Sequence, residues 1–208
     1  LSQYSPEEAQ VFLIDPKMGL LGERDLLRQY GFIPEGGYAT TPEQTETLLK
    51  RFNALVETRK PGNPDSLTAH DIATHSWWEG PELFLIIDDM MLVHPQNSFG
   101  MEGSPWGVLA NLLKSDIGYG MHVMVTCSAS ELADKIIAGN PGTLGEALTS
   151  KNSPVLLLSG VADRQKIISG VGFEKMRPGK GKFVLPQSEE LFIVQTPFSE
   201  PWTAPTNE

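Results

Sequence analysis

Short runs of apolar residues alternate with stretches of helical pattern along this chain, and that alternation limits the possible folds more than any other feature. The strongest runs are residues 11–14 (Val-Phe-Leu-Ile), 83–87 (Leu-Phe-Leu-Ile-Ile) and 121–126 (Met-His-Val-Met-Val-Thr), with a fourth, short buried run at 155–158. The first two lack polar residues, as expected of strands covered on both faces of a sheet. The alternation predicts an α/β fold around a mainly parallel sheet, with helices on both faces.

Two of the intervening segments carry clear helix starts. Thr41 precedes Pro42, and Gln44 stands where it can close a capping box. Ser104 and Pro105 open a second helix in the same way. Apolar residues at helical spacing follow both starts: Leu48, Leu49, Phe52, Leu55 and Val56 in the first helix, and Trp106, Leu109, Leu112 and Leu113 in the second.

The remaining segments predict how the chain is divided. Ser128 and Glu131 form another capping-box pattern after the third run. Residues 182–185 and 191–194 predict two short strands paired as a hairpin, and residues 197–208, with three prolines, predict an irregular tail. Because no internal repeat is present, we expect one domain over residues 1–196 followed by that tail.

Composition excludes several classes of protein. The 208 residues include 40% hydrophobic residues, enough for a real core, and the single cysteine, Cys127, excludes a disulfide framework and a thiolate zinc site. The formal net charge of −10 argues against a nucleic-acid binder. Four basic residues do lie between 175 and 182 around Pro178 and Gly179, a pattern typical of a solvated turn.

Two carboxylates, Asp88 and Asp89, directly follow the second apolar run. In α/β sheets the carboxyl ends of the strands face the ligand crevice. A carboxylate there can hold Mg²⁺ beside a nucleotide phosphate, which is the Walker B role, and a neighbouring acid can polarise the attacking water. A plainer alternative stays open, in which the strand simply ends in solvent and Asp acts as a turn residue.

Polar residues also follow the other long runs. Thr126, Cys127 and Ser128 lie at the end of the third run, where hydroxyls could contact a phosphate, although Ser128 also suits a helix N-cap. Asp15 and Pro16 follow the first run and are typical of a pair that opens a loop. The 208 residues contain no glycine-rich phosphate loop ending in Lys-Ser/Thr.

Three of these segments together resemble the FtsK/SpoIIIE family of P-loop motor ATPases. Residues 13–18 (Leu-Ile-Asp-Pro-Lys-Met) are similar to the strand after the family's Walker A helix. Residues 85–89 (Leu-Ile-Ile-Asp-Asp) are similar to its Walker B strand, and residues 120–126 (Gly-Met-His-Val-Met-Val-Thr) to its sensor strand. Order and spacing agree for all three, which is more specific than any single match.

Within that family, further segments resemble the last ATPase domain of EccC, the motor proteins of type VII (ESX) secretion systems. They are residues 76–83 (Ser-Trp-Trp-Glu-Gly-Pro-Glu-Leu), 153–160 (Ser-Pro-Val-Leu-Leu-Leu-Ser-Gly) and 177–181 (Arg-Pro-Gly-Lys-Gly). The resemblance extends from about residue 4 to residue 194. It implies a P-loop NTPase fold of FtsK/RecA type with a C-terminal hairpin.

The resemblance also implies cofactors and site residues. ATP and Mg²⁺ would be the cofactors, with Asp88 holding the metal through the nucleotide and Asp88 and Asp89 acting as catalytic residues. The nucleotide would be contacted by Thr126, Ser128, Pro178 and Gly179.

Three departures from the family pattern qualify this picture. The family's first strand, phosphate loop and Walker A helix would precede Leu1, so we expect no ATP hydrolysis by the chain as given. Asp89 stands where the family has a glutamate, and Cys127 where it has a sensor glutamine. Together they predict a degenerate ATPase that turns nucleotide over slowly.

The function implied is that of an ATPase module in a secretion motor at the inner, cytoplasmic side of the cell membrane, within a membrane-anchored complex. Its partners would be neighbouring ATPase domains of the same motor, which a hexamer would bring together, and small secreted helical-hairpin substrates recognised by a C-terminal signal. We expect no nucleic-acid partner. The alternatives are an FtsK-type DNA translocase and a catalytically dead structural module of a hexameric motor.

Overall fold

The computed structural model describes residues 3–93, 103–115, 118–128, 143–151, 153–160, 171–186 and 190–195. It divides into two compact units, Leu1–Lys151 and Asn152–Glu208. In chain order, the elements of the first unit are β1 (Ala9–Ile14), α1 (Leu21–Gln29), β2 (Tyr38–Ala39), α2 (Pro42–Glu57), a 3-10 turn (Pro64–Ser66), α3 (Ala69–Thr74), β3 (Glu82–Ile87), a second 3-10 turn (Met90–Leu92), α4 (Pro105–Leu113), β4 (Met121–Val125) and α5 (Leu144–Ser150).

The first unit is built on a parallel sheet, as its sequence predicts. Among the described residues its four strands lie in the order β2-β1-β3-β4, and every neighbouring pair is parallel. The strands of the three predicted apolar runs, β1, β3 and β4, are therefore direct neighbours, and their carboxyl ends meet at one edge of the sheet. The predicted mixed α/β class with a mainly parallel sheet is confirmed.

Helix α2 begins where the sequence predicts. The Thr41 side chain accepts the Gln44 amide, the Gln44 side chain accepts the Thr41 amide, and Pro42 lies at the first turn. Its buried face includes Leu48, Leu49, Phe52 and Val56, which pack on the sheet residues Phe12, Ile14, Leu83, Leu85 and Ile87. The rings of Phe12 and Phe52 meet edge to face with their centroids 5.2 Å apart.

Helices α4 and α5 extend the same core. The Ser104 side chain caps α4 as predicted by accepting the Gly107 amide, and Trp106, Leu109 and Leu112 are buried. Side chains tie the helices together: Asn53 of α2 donates to the Pro105 carbonyl at 2.7 Å, and Lys114 after α4 forms an ion pair with Glu146 of α5.

The opposite face of the sheet is covered unevenly. Ala9, Val11 and Leu13 of β1 are buried there. By register, Phe84 and Ile86 of β3 lie beside them and are half-buried, whereas His122 and Met124 of β4 are exposed. The His122 ring stacks on Phe84 with centroids 4.6 Å apart and lies 3.0 Å from a Glu82 carboxylate oxygen.

A buried arginine joins helix and strands at the amino-terminal edge of the sheet. Arg59, just after α2, donates to the carbonyls of Tyr119 at 2.9 Å, Gly120 at 3.0 Å and Pro81 at 2.5 Å. Its guanidinium carbon lies 4.1 Å from the centroid of the Trp78 ring. Burial lowers the pKa of Arg59, an effect that nearby Glu82 opposes.

Gly120 is required by that same packing. Its φ of +60° lies in the left-handed region, and an added Cβ would stand 2.3 Å from carbon atoms of the Trp78 ring. Any side chain here would displace the indole from Arg59, so glycine is the residue that fits.

The second unit is a separate antiparallel sheet of β5 (Val155–Leu157), β6 (Lys180–Leu185) and β7 (Glu190–Gln195), in the order β5-β6-β7. The predicted pairing of the last two strands is confirmed. The prediction of a buried run over residues 155–158 is wrong, because β5 pairs antiparallel with β6 and its side chains alternate, leaving Leu156 45% and Leu158 54% exposed. An antiparallel sheet can be covered on one face and exposed to water on the other.

Several sequence predictions lie outside the described residues. The capping box between Ser128 and Glu131 and the irregular tail over residues 197–208 both involve such positions. The single ATPase domain over residues 1–196 stays a prediction. Among the helices that the structure describes, none is long and apolar enough to cross a membrane.

Candidate functional site

The parallel sheet gathers polar side chains at its carboxyl edge. Asp88 and Asp89 leave β3, Thr126 leaves β4 on one side of it, and Lys17 follows β1 on the other. The backbone continues the sheet into this region, since the Asp88 amide donates to the Ile14 carbonyl at 2.8 Å and the Thr126 amide to the Ile87 carbonyl at 2.9 Å. Side chains distant in sequence are thereby held within hydrogen-bonding range.

The Thr126 hydroxyl bridges the two acidic residues. It donates to Asp88 Oδ1 at 2.7 Å and accepts the backbone amide of Asp89 at 2.9 Å. The Thr126 carbonyl also accepts the Met90 amide at 2.9 Å. One residue at the end of β4 thus fixes both the carboxylate of Asp88 and the backbone turn that follows it.

That turn places Asp89 in an unusual conformation. Its φ of 50° and ψ of 68° are left-handed, and it begins the 3-10 turn over Met90–Leu92. For a residue with a side chain this conformation costs roughly 1–2 kcal/mol, although Asp tolerates it better than most. Such strain is concentrated at functional sites in proteins, where surrounding contacts hold it in place.

The two carboxylate oxygens of Asp89 have different surroundings. Oδ2 lies 2.5 Å from the Lys17 ammonium, and Asp89 is far more shielded than Lys17, with 15% against 59% of the side chain exposed. Oδ1 is buried and has no hydrogen-bond partner among the residues that the structure describes. A buried acceptor of this kind is expected to find a partner, whether water, an ion or a ligand.

The loop that carries Lys17 is anchored by a buried carboxylate. Asp15 is fully buried; its Oδ1 accepts the Gly19 amide at 2.9 Å, and its Oδ2 accepts the Leu20 amide at 3.0 Å and the Tyr38 hydroxyl at 3.1 Å. Burial, with the hydrogen bond to Asp15, raises the pKa of Tyr38. These contacts agree with Asp15 as a loop-opening residue and leave Lys17 to face the acidic pair.

The donor set at this edge fits a hard divalent cation. Mg²⁺ is commonly held by one or two carboxylates together with phosphate and water oxygens, and Asp88, Asp89 and Thr126 supply only oxygen ligands. Within the described ranges no group of three or more His, Cys, Asp or Glu residues converges on a common point. A metal here would therefore depend on ligands from water or a nucleotide, with Asp88 as its protein contact.

The other residues predicted to contact the nucleotide are not part of this hydrogen-bonded group. Ser128 is exposed two residues after Thr126, and Cys127 between them is partly buried against the core. Pro178 and Gly179 belong to the second unit, where Gly179 has a φ of +77° and the Lys180 amide donates to the Arg177 carbonyl at 3.0 Å. That geometry is a tight turn leading into β6, as their sequence pattern indicates.

Sequence reasoning missed Lys17 as part of this site. The signal for it was available, because residues that follow neighbouring parallel strands meet at one edge of a sheet. Lys17 lies three residues after the end of the first apolar run, and Asp88 directly follows the second. What the sequence did not reveal was that β1 and β3 are adjacent.

Comparison with known proteins reveals relatives over nearly the whole chain, although no family model matches it. It is 28% identical over 208 residues to the ESX secretion system protein EccC of Thermomonospora curvata, an alignment that covers 96% of this chain and 14% of that protein. It is 29% identical over 205 residues to the ESX-1 secretion system protein EccCb1 of Mycolicibacterium smegmatis, which covers 95% of this chain and 31% of that protein.

Two solved structures of the Thermomonospora curvata protein have a similar fold. One is the cytoplasmic domain of the type VII secretion ATPase EccC, with a TM-score of 0.77 and 26% identity over 97% of this chain and 21% of that one. The other contains ATPases 2 and 3 of EccC in complex with a signal sequence peptide, also with a TM-score of 0.77 and 26% identity, over 97% of this chain and 33% of that one.

The fold, with its mainly parallel four-stranded sheet, matches that of the solved EccC ATPase domains and is consistent with the P-loop NTPase class. More particularly, the chain is homologous to the ATPase domains of EccC in type VII (ESX) secretion, and the predicted resemblance is confirmed. It spans between about a seventh and a third of the length of the curated relatives compared above.

Proposed function

We propose that this chain is a degenerate ATPase module of a type VII secretion motor, which binds Mg·ATP together with a phosphate loop and recognises a C-terminal signal on secreted helical-hairpin substrates. The observation that carries the nucleotide part is the Thr126-bridged acidic pair at the carboxyl edge of a parallel sheet. That edge is where open α/β sheets bind their ligands. The phosphate loop, absent from these 208 residues, would be supplied by another segment of the motor.

Each residue has a proposed role in that site. Asp88, oriented by Thr126, would hold Mg²⁺ beside the phosphates, and Asp89 would orient the attacking water. Thr126 and Ser128 would contact the nucleotide. When bound, Mg²⁺ would offset the negative charge that develops on the phosphates.

The contacts of Asp89 support slow turnover. Its side chain is one methylene shorter than the glutamate that the family pattern has here, and near-attack geometry is sensitive to displacements of about 1 Å. Its Oδ2 is already paired with Lys17 and its Oδ1 is buried. Cys127, in place of the sensor glutamine, is a poor hydrogen-bond partner for water or phosphate.

The same homology supports a proposal for the setting and partners of the module. We propose that it works at the inner side of the cell membrane within a membrane-anchored complex, beside other ATPase domains of the same motor in a hexamer. The signal-peptide complex of the EccC neighbour supports the proposed recognition of substrate signals.

Nucleotide binding is tested with a fluorescent ATP analogue and Mg²⁺, using the chain alone and a polypeptide that also carries an upstream phosphate loop. We expect no hydrolysis by the chain alone, and binding with slow hydrolysis when the loop is present. Asp88→Asn should abolish Mg²⁺-dependent binding, whereas Asp65→Asn, an exposed carboxylate in a distant turn, should not. Rapid turnover by the chain alone that Asp88→Asn abolishes would contradict the proposal.

Substrate recognition is tested by parallel titrations with duplex DNA and with a peptide carrying the C-terminal signal of a secreted helical-hairpin protein. Peptide binding should survive raised salt, because apolar burial is not screened by ions. DNA should bind more weakly than the dissociation constant of about 10⁻⁴–10⁻⁶ M typical of non-specific binders. Tight, salt-sensitive DNA binding without peptide binding would favour a translocase, and binding of neither would favour a structural module.

A further inference from the structure

The backbone position of Lys17 is held by contacts that do not involve the Lys17 side chain. The buried Asp15 carboxylate holds the backbone of the following loop through the Gly19 and Leu20 amides. Met18, next to Lys17, has a φ of 54°, so the loop makes a tight left-handed bend directly after it. The lysine side chain therefore starts from a constrained backbone at the carboxyl edge of β1, beside the acidic pair.

The ammonium of Lys17 neutralises a carboxylate that is otherwise poorly supported. Asp89 adjoins a second acid, Asp88, in sequence, its own side chain is only 15% exposed, and its Oδ1 has no hydrogen-bond partner in the described part of the chain. A partly desolvated carboxylate beside another acid needs a compensating positive charge. Lys17 supplies that charge at 2.5 Å from Oδ2.

We propose that Lys17 is a resident counterion of the acidic pair and competes with a divalent cation for it. This deepens the proposed function and rests on the same site. An ammonium paired with Asp89 and a dication held by Asp88 repel each other across the acidic pair, so the cation can bind fully only when Lys17 moves away. Because 59% of the Lys17 side chain is exposed, its flexible four-carbon stem can carry the ammonium towards an incoming phosphate.

The test uses Mn²⁺ alone, without nucleotide, because Mn²⁺ accepts the same oxygen ligands as Mg²⁺ and is paramagnetic. The readout is broadening of the backbone amide signals of Asp88, Asp89 and Thr126 as Mn²⁺ is added to the 208-residue chain. Lys17→Met is compared with wild type and with Lys50→Met, which removes an exposed lysine paired with Glu46 on α2. A matching amide fingerprint away from the site establishes that each variant is folded, with Lys17→Gln as the substitute if Lys17→Met is not.

We expect Lys17→Met to bind Mn²⁺ about three- to tenfold more tightly than wild type, since a nearby positive charge is removed. Lys50→Met should leave the affinity unchanged, and adding Asp89→Asn to Lys17→Met should cancel the gain. Equal affinity of wild type and Lys17→Met, or no binding by either, would overturn the proposal. The Mn²⁺ titration contains no nucleotide. A failure of the chain to bind ATP in the separate nucleotide experiment would therefore reject the proposed function without contradicting the role of Lys17.

Discussion

The hydroxyl of Thr126 and the carboxylate of Asp88, 38 residues apart in sequence, are joined by a 2.7 Å hydrogen bond between neighbouring strands. The same hydroxyl oxygen accepts the amide of Asp89. Both the donor and the acceptor capacity of this one group are therefore used to shape the acidic turn.

Replacing Thr126 by valine should destabilise the fold by about 1 kcal/mol, because a nearly isosteric change leaves the Asp88 oxygen and the Asp89 amide without their partner. The estimate lies below the roughly 1.5–3 kcal/mol of a typical bond to a charged group because the site is exposed to solvent. Thr126→Ser keeps the hydroxyl and should lose less. Urea unfolding of the two variants checks this, and a loss for Thr126→Ser as large as that for Thr126→Val would contradict the leading role of the hydroxyl.

A double-mutant cycle between Lys17 and Asp89 should give a coupling energy of about 0.5–1 kcal/mol in unfolding. The matched control is the Glu46–Lys50 pair on α2, whose side chains are both more than half exposed. We expect it to give about 0.3 kcal/mol, since exposed helical pairs are weak. A coupling no larger than the control would mean that the shielding of Asp89 adds nothing to its ion pair.

Arg59→Lys should cost about 2–4 kcal/mol of stability, because an ammonium cannot reach three separate carbonyls while stacking on an indole. The control is Arg28→Lys, an exposed residue in the last turn of α1, which should change stability by less than about 0.5 kcal/mol. Thermal and urea unfolding measure both. Similar effects of the two substitutions would contradict the bonding described for Arg59.

The pKa of Asp71 is lowered from 3.8 to about 2, first by the hydrogen bond from Ser76 and then by those from Thr68. Since the folded-state value lies below the unfolded one, the carboxylate stabilises α3 fully above about pH 4, and the effect is lost as the pH falls through about 2. A carboxyl NMR titration of Ser76→Ala should show a higher midpoint. Ser66→Ala, whose hydroxyl donates to the Asn63 carbonyl instead, should leave the Asp71 midpoint unchanged.

Asp89→Glu should raise the rate of ATP hydrolysis in a polypeptide that also carries a phosphate loop, because the longer side chain reaches farther towards the attacking water. Single-turnover hydrolysis is the measurement. An unchanged rate would indicate that Cys127 limits hydrolysis instead. The variant Cys127→Gln, which restores an amide to the sensor position, would then test this.

The elements predicted from sequence are those whose signals are local. Thr41 and Gln44 marked the start of α2, and uninterrupted apolar runs marked β1 and β3. Helix α5 was missed although Thr143 and Glu146 fit a capping pattern, and the Thr143 side chain does accept the Glu146 amide. Helix α1 has no side-chain cap, so no capping pattern in the sequence predicts where it begins.

The site was predicted in part for the same reason. Asp88, Asp89 and Thr126 stand out because they lie at the ends of apolar runs. The hydroxyl bridge, the left-handed turn at Asp89 and its pairing with Lys17 depend on the order of strands in the sheet, which no short segment encodes. Residues 155–158 show a different error. The apolar run predicted a buried strand, but β5 pairs antiparallel with β6, and the face that carries Leu156 and Leu158 is exposed.

The three carbonyls bound by Arg59 have a mechanical consequence. Pro81 and Gly120 immediately precede β3 and β4, and Arg59 follows the end of α2. The Arg59 side chain therefore holds the helix to both strands at the amino-terminal edge of the sheet. Sliding α2 along the sheet would break all three bonds at once, whereas a small tilt about the guanidinium would preserve them. Any relative movement of this helix and these strands should therefore be a rotation with its fulcrum at Arg59, and its amplitude should grow towards the edge that holds Asp88 and Asp89.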